Sequence, residues 1–139
     1  MQQRSHKISI KTHGRRLYDI TPQVLAWARD SGLKTGLLTL YIQHTSASIL
    51  INENYDADVL VDMESFFARL VPDGDRLFIH TAEGADDMPA HIRSALTQTS
   101  ISIPLIDGKV ALGMWQGIFL YDHRLAAHTR HVLLHLIAE

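Results

Sequence analysis

The 139-residue chain contains no cysteine. That absence removes disulfides, thiolate-bound zinc and cysteine nucleophiles together, so any metal would have to be held by His, Asp or Glu. Long hydrophobic runs are missing as well. The longest, such as VLLHLIA near the C-terminus, are far too short to cross a bilayer. The opening MQQRSHKISIKTHG has no apolar centre of signal-peptide length, so a cytoplasmic protein with no membrane partner is the expectation. Charge of one sign is scarce too. A net charge of −2 and a pI near 6.5 provide no basic field to draw nucleic acid, which is therefore not expected as a partner. Neither GxSxG nor a P-loop motif occurs, which sets aside the nucleophile-elbow hydrolases and the P-loop NTPases.

What is present is ordinary for a globular domain: 46% apolar and 20% charged residues in a length that one core can organise. Residues 1–139 are read as a single domain. Ile8, Ile10 and Thr12 alternate with Lys7, Ser9 and Lys11, the period of a half-buried strand. Thr21-Pro22 to Gly32 supplies a cap, a proline at the first helical position, apolar residues at helical spacing and a terminal glycine. Two β-rich runs, 35–43 and 46–52, precede a helical pattern over 53–70 that contains Val59, Leu60, Met63, Phe66, Phe67 and Leu70. RLFIH, residues 76–80, reads as a short strand, and 89–97 as a helix. Further β-like runs follow at 99–106, 109–114, 117–121 and about 129–137. The last fits both periods and is taken as strand. Strands that follow one another through short turns favour antiparallel pairing. The expected class is α+β, a mainly antiparallel sheet or sandwich with about three helices.

Three stretches concentrate polar side chains. In HTAEGADDMPAH, residues 80–91, two histidines bracket Glu83, Asp86 and Asp87 across a glycine-containing loop. A strand end and a helix start can converge on one ion, so His80 and His91, joined by His44 at another strand end, form a candidate three-histidine site. Glu83 and Asp87 are then candidate catalytic groups, as base or as partners that orient an imidazole. The same acids also suit the N-terminus of the following helix, where negative charge opposes the helix dipole. Both readings stand on these residues alone. HTSASILINEN, residues 44–54, offers Ser46, Ser48 and Asn52 either to a ligand or to the outward face of a strand. In LGMWQGIFLYDHR, residues 112–124, two glycines flank Trp115 and Gln116, which signals a bulge or a close approach. Gln116, Asp122 and Arg124 are candidates to line a pocket, where Arg124 can grip a carboxylate or phosphate in fork geometry.

Taken together and in order, these three motifs resemble the YjbQ family, small proteins described as secondary thiamine-phosphate synthase enzymes. The likeness runs from Thr35 to the C-terminus. It implies an α+β homotrimer with sites near subunit boundaries, a polar cluster of His44, His80 and His91, and a weak capacity to make thiamine phosphate. Ser46, Ser48, Asn52, Glu83, Asp87, Trp115 and Gln116 match the family pattern as well. A small phosphorylated metabolite is the expected partner, and a divalent metal the expected cofactor. Imidazoles favour zinc or a similar ion and hydrolytic chemistry, whereas expulsion of pyrophosphate favours Mg²⁺ brought in with substrate phosphates.

Overall fold

A computed structural model describes residues 1–139. In chain order the elements are β1 (Gln2–His13), β2 (Arg16–Asp19), α1 (Thr21–Asp30), β3 (Gly36–Ile42), β4 (Ala47–Glu53), α2 (Ala57–Leu70), α3 (Asp87–Leu96), β5 (Ser100–Ile106), β6 (Lys109–Val110), β7 (Gln116–Asp122) and β8 (Ala127–Ala138). The expected α+β class holds. All strand pairs are antiparallel, in a five-stranded sheet of order β1-β8-β3-β5-β6 and a three-stranded sheet of order β2-β7-β4.

The ambiguous C-terminal run is a strand because β1 pairs with it along its whole length, Gln2 opposite Ala138 and His13 opposite Ala127. Val132, Leu134 and Leu136 are wholly buried on one face, while His131, Leu133 and His135 remain partly exposed on the other. The inward faces of the two sheets share one core. Leu38, Leu40, Ile103, Leu134 and Leu136 meet Ile49, Ile118 and Leu120, with Val24 of α1 closing one side. Each such side chain contributes about 1.5–3 kcal/mol through removal from water. The other face of the three-stranded sheet is covered by α2 and α3 and is mixed in character. Phe67 meets Tyr121 edge to face at 5.9 Å, while Arg93 Nη1 and Tyr121 Oη both donate to Glu64 Oε1 at 2.7 Å.

Several local expectations are corrected. The strand expected at residues 76–80 does not form. Asp75 accepts the Leu77 N–H through its side chain and the Phe78 N–H through its carbonyl, which curls the segment away from any partner strand. Leu77 and Ile79 are left 87% and 98% exposed. The run 109–114 shrinks to Lys109–Val110 beyond a two-residue turn in which Asp107 and Gly108 both have positive φ, the twist a tight hairpin requires. The helix expected from residue 53 starts at Ala57, because β4 continues to Glu53 and Asp56 caps α2 by accepting the Asp58 N–H at 2.9 Å. Thr21 does not cap α1. It is the first helical residue, and Asp19 accepts its N–H. Strand β2 was not foreseen; only four residues long, it pairs with residues 119–122.

Gly117 settles the choice between bulge and close approach. Its strand pairs without interruption, and an added Cβ would meet Asn54 Cβ at 2.9 Å and the Phe119 ring at 3.0 Å.

Candidate metal centre and adjoining groove

The irregular segment before α3 and the first turns of α3 bring four chemically suited side chains together. Ligand-type atoms of His80, Glu83, Asp87 and His91 all lie within 4.8 Å of one another. Asp87 and His91 are one helical turn apart on α3, which places both on the same face. Asp87 is 2% exposed; its Oδ2 lies 2.6 Å from His80 Nε2 and 3.2 Å from His91 Nε2. Its Oδ1 accepts from Arg124 Nη1 at 2.7 Å.

Hydrogen bonding fixes the form of His91. Its Nδ1 lies 3.1 Å from the Thr45 carbonyl, which can only accept, so Nδ1 carries the proton and the neutral ring has its lone pair on Nε2. That lone pair faces the Asp87 carboxylate. Two acceptors at this separation are reconciled by a cation between them, either a proton or a metal ion. Burial alone would raise the Asp87 pKa, but the His80 hydrogen bond and the Arg124 charge bring it below the ordinary carboxylate value. Asp86 follows the same course: burial raises its pKa, and the Leu125 N–H and Arg124 outweigh it. Both acids are therefore ionised at neutral pH.

Beside this cluster lies an open groove of about 830 Å³, lined in part by Tyr41, His44, Thr45, Ser46, His91 and Ser94 and by no acid. His44 therefore shares a groove with His91, but it does not join the four-residue cluster. Its Nε2 accepts the His131 backbone N–H at 2.8 Å, which occupies the lone pair a metal would need. Burial, followed by the nearby Arg130 charge, pushes its pKa down to about 4 and keeps the ring neutral.

The remaining expected ligand-binding residues divide. Ser46 stays at the groove. Ser48 does not; it is 1% exposed and its hydroxyl bonds His123 Nε2 at 2.8 Å inside the protein. Arg124 is turned on the chain's own acids rather than on a ligand. Nε binds Asp86, Nη1 binds Asp87 and Nη2 binds the Glu83 carbonyl, so its fork organises the loop. Asn52, Trp115 and Gln116 lie at the opposite end of β4 and β7. Six residue steps separate Gln116 from Asp122 along β7, roughly 20 Å at about 3.3 Å per residue. A single pocket uniting them with His80 is ruled out within one chain.

The family model described as UPF0047 protein YjbQ-like matches residues 6–139. The chain belongs to the YjbQ-like UPF0047 family. It is 49% identical over 138 residues to a UPF0047 protein of Synechocystis, covering 99% of this chain and 94% of that one. It is 42% identical to the YjbQ protein of Escherichia coli, covering 99% and 98% of the two. Among solved structures, an uncharacterised YjbQ/UPF0047 protein of Clostridium acetobutylicum superposes with a TM-score of 0.85 at 33% identity, over 95% of this chain and 99% of that chain. A hypothetical protein of Aeropyrum pernix gives the same TM-score at 26% identity over the full length of both.

Within this YjbQ-like chain the site is held by a buried ion pair between Asp122, which was expected to line a pocket, and Arg130, which sequence reasoning missed. Asp122, fully buried, accepts from Arg130 Nε and Nη2 at 2.8 Å each, from Thr12 at 2.6 Å and from the Arg124 N–H at 3.0 Å. Burial raises its pKa, and the Arg130 and Thr12 hydrogen bonds more than reverse that. A signal for Arg130 was available. It occupies the inward register of β8 with Val132, Leu134 and Leu136, where a charge requires a buried partner.

Proposed function

We propose that this YjbQ-like protein is a metal-dependent enzyme acting on a small phosphorylated metabolite, with hydrolysis as its principal reaction. One observation carries the reading: the convergence of His80, Glu83, Asp87 and His91 within 4.8 Å at the side of a groove that admits a small molecule. Two imidazoles and two carboxylates suit zinc, manganese or a similar ion, and the Thr45 carbonyl already selects the His91 tautomer that ligates. His44 is left out of this ligand set. Bound there, a divalent ion supplies Lewis acidity and a water that ionises near neutral pH.

The chain's own groups have distinct tasks. Asp87, held as a carboxylate by Arg124, positions the His80 imidazole, and the Thr45 carbonyl positions that of His91. Glu83, the most exposed of the four with its side chain 63% open to solvent, is the general base. Ser46 and Thr45 offer polar contacts along the groove.

Thiamine-phosphate synthesis, implied by the family resemblance, enters as a weaker second reaction of the same pocket. Glu83 and Asp87 are the carboxylates available to Mg²⁺ arriving with a diphosphate. The homotrimer implied by that resemblance would cover Leu77 and Ile79, which precede His80 and stand open in the single chain. Analytical ultracentrifugation reads that state directly.

The test of the enzyme reading is elemental analysis of the untagged protein beside His80→Ala and His91→Ala. The expected result is near-stoichiometric zinc or a related metal, lost in both variants while the circular dichroism spectrum is unchanged. Metal-supported turnover of a phosphate ester should be lost with it. Metal-free wild type with no turnover of any ester after zinc or manganese is added would overturn the proposal.

A further inference from the structure

Directly behind His44 and Ser46 of the groove lining lies a second mismatch, independent of the metal cluster. Arg130, 4% exposed, spends Nε and Nη2 on Asp122, and Nη2 also reaches the Ser46 carbonyl at 3.3 Å. Its Nη1 has one neighbour, His44 Nδ1 at 3.4 Å. That contact is not a hydrogen bond. A neutral imidazole has a single lone pair, and His44 uses its own at Nε2 to accept the His131 N–H. Nδ1 therefore carries hydrogen. An N–H of His44 and an N–H of Arg130 face each other with no acceptor between them, and His44 lines the groove.

Two donors held this way cost free energy unless an acceptor sits on both. Neither can turn aside. The Arg130 fork is pinned bidentately by a buried carboxylate, and the His44 ring is pinned by the β8 backbone and stacked on His131 at a centroid distance of 5.8 Å. The groove lining includes no carboxylate to fill the place. Preorganised donors converging on one point are how proteins receive an oxygen that carries negative charge.

We propose that His44 Nδ1–H and Arg130 Nη1–H together form a receptor for one anionic oxygen of the molecule bound in the groove. The assignment deepens the proposed function and rests on it only in taking a phosphoryl group as the source of that oxygen. His44 thereby changes role, from metal ligand to fixed neutral donor. Arg130 becomes a binding residue, and Asp122 the residue that positions it.

Nitrogen-15 NMR of histidine-labelled protein, stripped of metal and titrated with inorganic phosphate, tests the idea. The expected result is an Nδ1–H tautomer for His44 and a saturable shift of its Nδ1 signal as phosphate is added. Phosphate affinity should fall at least about tenfold in His44→Phe, the scale of one charge-assisted hydrogen bond, and remain unchanged in His80→Ala. An Nε2–H tautomer overturns the receptor, as does a His44 signal indifferent to phosphate, in which case the pair holds only a structural water. Phosphate binding that disappears in His80→Ala also overturns it, by locating the anion at the metal cluster. Metal content measured on the same preparations before stripping reports separately on the enzyme reading.

Discussion

The two ends of strands β4 and β7 are equally rich in polar side chains and differ in what those side chains are bonded to. At the Gln116 end the groups satisfy one another locally. Asn52 accepts the Glu53 N–H, Gln116 accepts the Gly113 N–H, Asp56 caps α2, and Trp115 rests edge-on against Tyr55 at 4.8 Å. At the Asp122 end the local pairings do not close. His91 Nε2 and the Asp87 carboxylate need a cation between them, and donor faces donor at His44 and Arg130. Polar density alone therefore does not mark a site. Hydrogen-bonding groups of the same sign held against each other by rigid elements do, because a folded chain tolerates such contacts only where something else completes them.

The most severe way to break this contrast is to remove the residue that holds the mismatched end rigid. Asp122→Ala leaves Arg130 as an unpaired buried charge and should cost about 3–5 kcal/mol in a urea titration. A loss below about 1 kcal/mol would mean that Arg130 finds another partner and that its pinning is not essential.

Acid should dissolve the same end next. Burial, and after it the Arg93 charge, pushes the His123 pKa down to about 3, whereas in the unfolded chain a histidine titrates near 6.5. Below about pH 6.5 the unfolded chain takes up a proton that the folded chain refuses, so stability declines as pH falls from there toward 3. The contribution is level above that window. One proton corresponds to about 1.4 kcal/mol per pH unit, and Asp122, with its depressed pKa, adds to the loss at the acid end. His44, with its pKa lowered to about 4, adds a similar slope. Thermal melts from pH 7 to pH 4 should show the combined slope, and it should fall by about half in His123→Phe, whereas an unaltered slope in that variant would place the sensitivity elsewhere.

The smallest expected effect comes from the far end. Gln116→Ala should cost about 1 kcal/mol or less, the value of one turn hydrogen bond, and Trp115→Ala and Gln116→Ala should leave metal content and phosphate binding at wild-type levels. Loss of either property in these variants would defeat the division of the two ends. It would mean that another subunit carries Trp115 to the groove.

Much of the architecture was legible because it rests on periodicity. The alternation of Ile8 with Ile10, the helical spacing from Val59 to Leu70 and the Asp107-Gly108 turn each report a local geometry that the tertiary structure keeps. RLFIH reads as strand by the same rule and fails, since a strand also needs a partner and the turn at Asp75 carries the segment away from one. The site was half legible. His80, Glu83, Asp87 and His91 lie in one stretch of twelve residues, and their convergence needs only a loop and a helix start. His44, Arg124 and Arg130 were misread or missed because their partners, the His131 N–H, Asp86 at the start of α3 and Asp122 on the preceding strand, are brought to them by strand pairing and loop placement that no local pattern reports.

Composition and pattern by themselves determined that this chain forms an antiparallel α+β domain, that it lacks thiolate chemistry, and that any ion would be held by imidazole and carboxylate. These properties depend on residue type and short-range spacing. Only the tertiary structure decided which histidines share an ion, because that turns on which nitrogen of each ring is already engaged. His91 has Nδ1 tied to the Thr45 carbonyl and keeps Nε2 for a cation; His44 has Nε2 tied to the β8 backbone and keeps only a proton to offer. The two side chains are chemically identical, and the backbone group each ring meets in the folded chain made one a candidate ligand and the other a donor.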